Sequence, residues 1–357
     1  MVINEYGLTM RVQGLKEFGA LRFGLWAMEV FFFEPQTYER LYNCSFYDYT
    51  TIPLAQRQHV GCGLFIIVFY AACFALYLPC LAAMLGSELR KRSSYQLMIF
   101  LGFNHAVGLQ CSGLITGIYG VIGAEYCMYP VAMYFIGILG LCGWFGSTMT
   151  TLVLGINRCC ELHSAYAAQK LFGGCKTFVW LLAIMIYSYL FPTLFNMPPL
   201  YDGVKMSWFY NPHSSYFPDD KHVYKNMYHV THNCIIFFAY IAVYVTFFAL
   251  YLRRVKMASG KLDDKSTYIQ VISIGFIHFA TSVLYLVQQF VSVDFAVSMA
   301  ASAAYLMSQG IPPFIYLKFN RTIRNTLKRL VAERASLVSH SSTTKLHSGS
   351  MMTDHLH

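Results

Sequence analysis

The stretch Val60–Met84, VGCGLFIIVFYAACFALYLPCLAAM, runs 25 residues without an Asp, Glu, Lys or Arg. A helix rises about 1.5 Å per residue, and about 20 apolar residues cross the hydrocarbon of a bilayer. This stretch is long enough to span, and in lipid a helix is the form that satisfies its own backbone polar groups. Six further charge-free windows follow it: Ser94–Ile122, Val131–Ile156, Phe178–Phe195, Asn233–Leu252, Thr267–Val287 and Phe295–Leu317. Strands of a membrane barrel would alternate polar and apolar residues, and these windows do not. The composition agrees: 56% of residues are hydrophobic and only 12% charged, against about 25% charged in soluble domains. The expected fold is an all-α membrane protein, a seven-transmembrane helix bundle.

Charge sets the direction of insertion. With the N-terminus placed outside, 18 of the 26 Lys and Arg fall on the inner side, which is then net +12, while the outer side is −3. The bias is clear in the short loops (Arg90, Lys91, Arg92; Arg158, Lys170, Lys176), where the positive-inside rule is most reliable. The net charge of +9 therefore reads as topology and needs no nucleic acid. The chain divides into an extracellular arm (1–59), the bundle (60–317), an amphipathic cytoplasmic helix (318–331) and a Ser/Thr-rich tail (332–357) expected to be disordered. Ala20–Phe33 is interrupted by Arg22 and Glu29, so it reads as arm and not as a signal peptide or an eighth span. Asn43-Cys44-Ser45 is a glycosylation triplet on the outer side. Cys44 and Cys127 are the cysteines that clearly face the oxidising exterior, and we expect them to pair.

The third window runs into Gly155-Ile156-Asn157-Arg158-Cys159-Cys160-Glu161. An Arg at the inner end of the third of seven helices suits a receptor in which its donor fork holds the inner helix ends and then turns toward a G protein. An ordinary inner-boundary charge would look the same, and both readings stay open at this point. The seventh window ends Gly310-Ile311-Pro312-Pro313-Phe314-Ile315-Tyr316, a Pro-x-x-Tyr spacing that gives a hinge followed by a movable ring, or a helix that merely stops at two prolines. Asn157, Arg158, Pro313 and Tyr316 are the candidate coupling residues. After them Phe319, Ile323, Leu327 and Leu330/Val331 recur at helical spacing among basic residues, the pattern of a helix on an anionic leaflet. No Cys follows Cys234, so the tail carries no palmitoyl anchor.

Several chemistries are disfavoured. No charge lies within any window, which argues against an ion pump or a carrier of charged substrates. The seventh window has no Lys for a retinal Schiff base, and Gly140 stands where a counter-ion for an amine would sit. His105 and His278 are too few for a catalytic zinc site and read as neutral hydrogen-bonding groups. No enzyme, cofactor or metal is expected. Bundles bind small molecules in crevices between their outer halves. The helix directions place Gln110, Leu141, Trp144, Asn233, Phe237, His278, Tyr285 and Ser302 there, although the same side chains also suit helix packing. The loop Asn196–His232 carries many aromatic residues, among them Trp208, Phe209 and Tyr210, and fits either a lid or a loop resting on headgroups.

Taken in order, Leu41-Tyr42-Asn43-Cys44-Ser45, Glu125-Tyr126-Cys127, Ile156-Asn157-Arg158-Cys159 with Glu161, Trp208-Phe209-Tyr210-Asn211-Pro212 and Phe314-Ile315-Tyr316 before a basic helix make the chain resemble the nematode serpentine chemoreceptors of class T. The likeness covers roughly residues 40–331. It implies a plasma-membrane G protein-coupled receptor of chemosensory neurons, in the sensory cilium, with a heterotrimeric G protein as partner, while the uncharged candidate pocket residues point to a small neutral or apolar ligand. It names no ligand. The sixth window, at Ile274-Gly275-Phe276-Ile277-His278, lacks the Trp-x-Pro hinge of rhodopsin-like receptors. A transporter or channel is the alternative, with a membrane enzyme or a non-signalling trafficking partner behind it.

Overall fold

The computed structural model describes residues 31–333, except 33, 46–47, 87, 218, 220–222, 258–264 and 289–294. Most of the arm before Pro35 and the Ser/Thr-rich tail lie outside the described residues. Six helical segments are individually long and apolar enough to cross a membrane: Leu54–Leu85, Ser93–Ile122, Pro130–His163, Lys176–Phe195, Met227–Met257 and Tyr268–Gln288. The seventh span comes in two pieces, Phe295–Gly310 and Pro312–Phe319. Sequence reading made it one uninterrupted window. The break falls at Ile311, because Pro312 and Pro313 have no N–H to continue the ladder and instead start a new helix, where a missing N–H costs nothing.

The third span is the axis of the bundle. About 67% of its apolar window is buried, against 22% or less for the first, fourth and fifth spans. Glycine lets the second span approach it closely: a Cβ on Gly143 would lie 2.9 Å from Gly108 N. The peripheral spans instead expose large apolar side chains such as Phe65, Val179, Phe238 and Phe276. In water such a surface would be a liability; facing lipid tails it is what the bundle requires.

Two helices carry π segments, Gln110–Ile115 in the second span and Ile186–Leu190 in the fourth. Each shifts the rotational phase of everything beyond it, so faces drawn for an ideal α-helix fail there.

The outer end is closed by protein. The arm helix Pro35–Tyr42 and a hairpin of β1 (Leu200–Asp202) and β2 (Ser207–Phe209) cover the mouth of the bundle. Tyr42, Tyr126, Tyr134, Tyr201 and Met206 form one buried cluster where the arm, the third span and the hairpin meet. The inner half has its own core, with Met98, Leu101, Leu154, Ile274, Tyr316 and Ile323 buried together. Ile323 belongs to the helix that follows the seventh span, residues 321–333, and Leu327 and Leu330 of the same apolar stripe pack on that core. This stripe therefore faces the bundle over those positions, while Val331 is exposed.

Candidate ligand cavity and inner-face network

A cavity of about 100 Å³ lies under the hairpin. Its walls come from the second span (Cys111, Ser112), the third (Ile136, Gly137, Gly140, Leu141, Trp144), the loop (Pro199, Trp208, Phe209, Tyr210), the fifth span (His229), the sixth (Tyr285, Gln288) and the seventh (Tyr305). No Asp, Glu, Lys or Arg is among them.

The lid is held by polar contacts at fixed points. Trp208 Nε1 donates to Thr116 Oγ1 at 2.8 Å, the hydroxyls of Ser207 and Ser302 meet at 2.7 Å, and His59 Nε2 lies 3.1 Å from Gly203 O. Gly137 is needed where the loop crosses the third span, since a Cβ there would collide with the Pro199 carbonyl. Met206, at φ 48, turns the hairpin through the left-handed region. Tyr224 Oη reaches Leu41 O at 2.6 Å, and a disulfide joins Cys44 to Cys127 with Cα atoms 5.6 Å apart. Arm, loop and third span are thus one cap.

The cap contains two buried carboxyl groups, Asp202 and Glu125. Asp202 accepts from Ser215 Oγ at 2.7 Å, from Lys205 N at 2.9 Å and from Ser214 Oγ. Glu125 is also buried, and its carboxyl is pushed up to about 8, first by burial and then by the Asp202 charge; the Gly203 and Val204 N–H groups and Arg57 pull the other way.

The floor is a stack of rings. Trp144 lies parallel to His278, with ring centroids 6.2 Å apart, and His278 stacks on His105 at 5.3 Å. The His278 Nδ1–H donates to Ile274 O at 3.0 Å, His105 Nε2 is 3.3 Å from His278 Nε2, and Tyr77 Oη is 2.6 Å from His105 Nδ1. Every ring nitrogen has a partner, so the pair links the second, sixth and first spans behind Trp144.

At the inner end Arg158 Nη1 donates to Glu161 Oε2 at 2.7 Å. Asn157 Nδ2 donates to Ser93 Oγ at 3.2 Å. Arg254 Nε donates to Leu162 O at 2.8 Å, tying the fifth span to the third. Asn320 accepts from Tyr95 Oη at 3.3 Å and donates to Gln270 Oε1 at 3.0 Å. This joins the inner ends of the second, sixth and seventh spans. Pro313 and Tyr316 are buried nearby.

Residues 27–340 match the family model of the serpentine type 7TM GPCR chemoreceptor Srt. The chain belongs to this family. Its fold is similar to that of squid rhodopsin in a crystal structure, with a TM-score of 0.57, 15% identity, and coverage of 79% of this chain and 87% of that one. At that identity the likeness concerns the fold alone. A search of curated proteins finds no match. Srt membership makes the chain a multi-pass membrane protein of a receptor family, not of an enzyme family.

Of the side chains expected around a ligand in this Srt receptor, Leu141, Trp144 and Tyr285 line the cavity. Asn233 and His278 stand directly behind Trp144, the first by a hydrogen bond and the second by stacking. Three others lie off the cavity. Gln110 opens the π segment and accepts from Tyr70 Oη at 2.9 Å on the first span, leaving Cys111 and Ser112 to face inward. Phe237 stacks on Phe279 at 5.2 Å between the fifth and sixth spans. Ser302 is held by the hairpin through Ser207. The loop expected over Asn196–His232 ends earlier: the fifth span begins at Met227 and buries His229 and His232.

Proposed function

We propose that this Srt protein is a chemosensory G protein-coupled receptor in the plasma membrane of a sensory cilium. A small, neutral and mostly apolar molecule occupies the cavity beneath the hairpin. Its binding shifts a two-state equilibrium in which the inner ends of the third, fifth and sixth spans separate and receive a heterotrimeric G protein. The helix at 321–333, with its basic residues, borders the inner leaflet.

The observation that supports this most is the link from the cavity to the fifth and sixth spans. Trp144 touches the cavity, Asn233 on the fifth span and His278 on the sixth. A ligand pressing on the indole thus acts on the two helices whose inner ends must move. The uncharged walls favour a neutral ligand, since a bare ion buried among them would lack a counter-charge.

The test is expression with a set of G proteins, read against a panel of volatiles and metabolites. Once an agonist is found, substituting Trp144, Asn233, His278 or Tyr285 singly should move its concentration dependence about tenfold, and Phe237→Leu should leave it in place. An unchanged response in all four variants would put the binding site elsewhere.

A further inference from the structure

The proton on His229 is located by its neighbours. Trp144 Nε1 can only donate, and it lies 3.0 Å from Asn233 Oδ1, which fixes how the Asn233 amide is turned. Asn233 Nδ2 then faces His229 Nε2 at 3.0 Å. An amide nitrogen donates, so Nε2 is the acceptor, and the neutral ring carries its hydrogen on Nδ1. His229 is 5% exposed and lines the cavity, and its Nδ1 has no partner among the described residues. Gln288 Nε2, on the sixth-span wall, is buried without a partner as well.

Several other donors around the cavity are engaged, while the hydroxyls of Tyr210 and Tyr285, which can donate or accept, also border it. Trp144 is held by Asn233, Tyr305 Oη donates to Gly140 O at 2.8 Å, and Ser112 Oγ donates to Gly108 O at 2.9 Å. A buried N–H without an acceptor is costly in apolar surroundings, so a ligand that supplies the acceptor gains both the bond and relief of that cost.

Accepting that this cavity is the ligand site, we infer that it selects a compact, uncharged ligand by a hydrogen-bond acceptor oxygen, a carbonyl or an ether, placed against His229 Nδ1–H. The volume limits the rest of the molecule. An engineered cavity of about 150 Å³ takes benzene, so about 100 Å³ limits the body to a ring smaller than benzene. A ligand whose only polar group is a donor faces a donor at His229, leaves that N–H unmet and binds more weakly.

Four five-membered rings of similar size separate the possibilities: cyclopentanone and tetrahydrofuran as acceptors, cyclopentane with no polar group, and pyrrole, whose N–H only donates. Ligand-observed NMR titrations on the full chain in nanodiscs read binding without any G protein. The acceptors should bind at least about tenfold more tightly than the other two. His229→Phe keeps a ring in place and should remove most of that preference, and adding Gln288→Leu, which takes away the second unpartnered donor, should erase it. Asn233→Ala, which frees the His229 hydrogen to move to Nε2, should weaken cyclopentanone and admit pyrrole. Equal binding of all four rings, a preference undiminished in His229→Phe, or no binding of either acceptor would each overturn the inference. Acceptor-selective binding with no G protein activation in the signalling assay would instead leave it standing and count against the receptor reading.

Discussion

Arg158 Nη1 and Glu161 Oε2 sit 2.7 Å apart, one turn along the third span, so the arginine at the inner mouth is held by its own helix. The pair is partly exposed, with side chains 10% and 33% accessible, and such pairs contribute about 0.5–1 kcal/mol. Glu161→Gln is therefore expected to raise ligand-free signalling about two- to fivefold. Arg158→Ala should reach the cell surface and lose most agonist-driven signalling. Surface labelling beside a G protein assay checks both, and full signalling by Arg158→Ala would reduce the residue to a topogenic charge.

Asn320 is 2% exposed and bridges Tyr95 to Gln270. Replacing Gln270 by Leu removes its main acceptor and leaves a buried amide unmet, at a cost of about 1–3 kcal/mol. The variant should melt lower in detergent and signal more without ligand, because the inner ends of the sixth and seventh spans lose their tie. A lower melting temperature with unchanged basal signalling would make the bridge purely structural.

The cap should respond to pH through Glu125. Its carboxyl is raised from 4.5 to about 8 when folded, mainly by burial and next by Asp202, with Tyr201 also close. Between those two values the folded cap keeps a proton that the unfolded chain has lost. Stability is therefore full below about pH 4.5, falls as pH rises and levels off above about pH 8. Glu125→Gln should flatten that decline and raise the melting temperature at pH 8 by about 2–4 °C. An unchanged slope across pH 5–8 would place the proton elsewhere.

Asn43 and Ser45 lie at the outer mouth, where Ser45 N donates to Asn43 Oδ1 at 2.7 Å, beside the Cys44–Cys127 link. Ser45→Ala should abolish a glycosidase-sensitive mobility shift, and a tag in the tail should stay hidden from antibody in intact cells. Cys44→Ser opens a closed loop of 83 residues, a loss of about 2–5 kcal/mol, and should lower surface yield. Tail labelling without permeabilisation would reverse the orientation.

The seven spans were legible because each repeats one condition about twenty times over, an uncharged and mostly apolar residue at membrane depth. Single errors at Met227 or Ile311 moved boundaries without changing the number of spans. The cavity had no such redundancy. Gln110 was placed inward on an ideal α-helix, and one π turn sent it to Tyr70. Trp208, Phe209 and Tyr210 were visible as aromatic residues, but nothing local says that Thr116 and Ser302 will hold them over the bundle.

By itself the sequence determined that this chain is a seven-helix membrane protein with a basic inner face, since hydropathy and charge act on each segment independently of its neighbours. Only the tertiary structure decided what the cavity asks of a ligand. The direction of the His229 hydrogen depends on Asn233, which depends on Trp144 from another helix. A hydrogen bond acts over about 3 Å and only at the right angle. Its partners are therefore set by how the helices pack and not by any pattern along the chain.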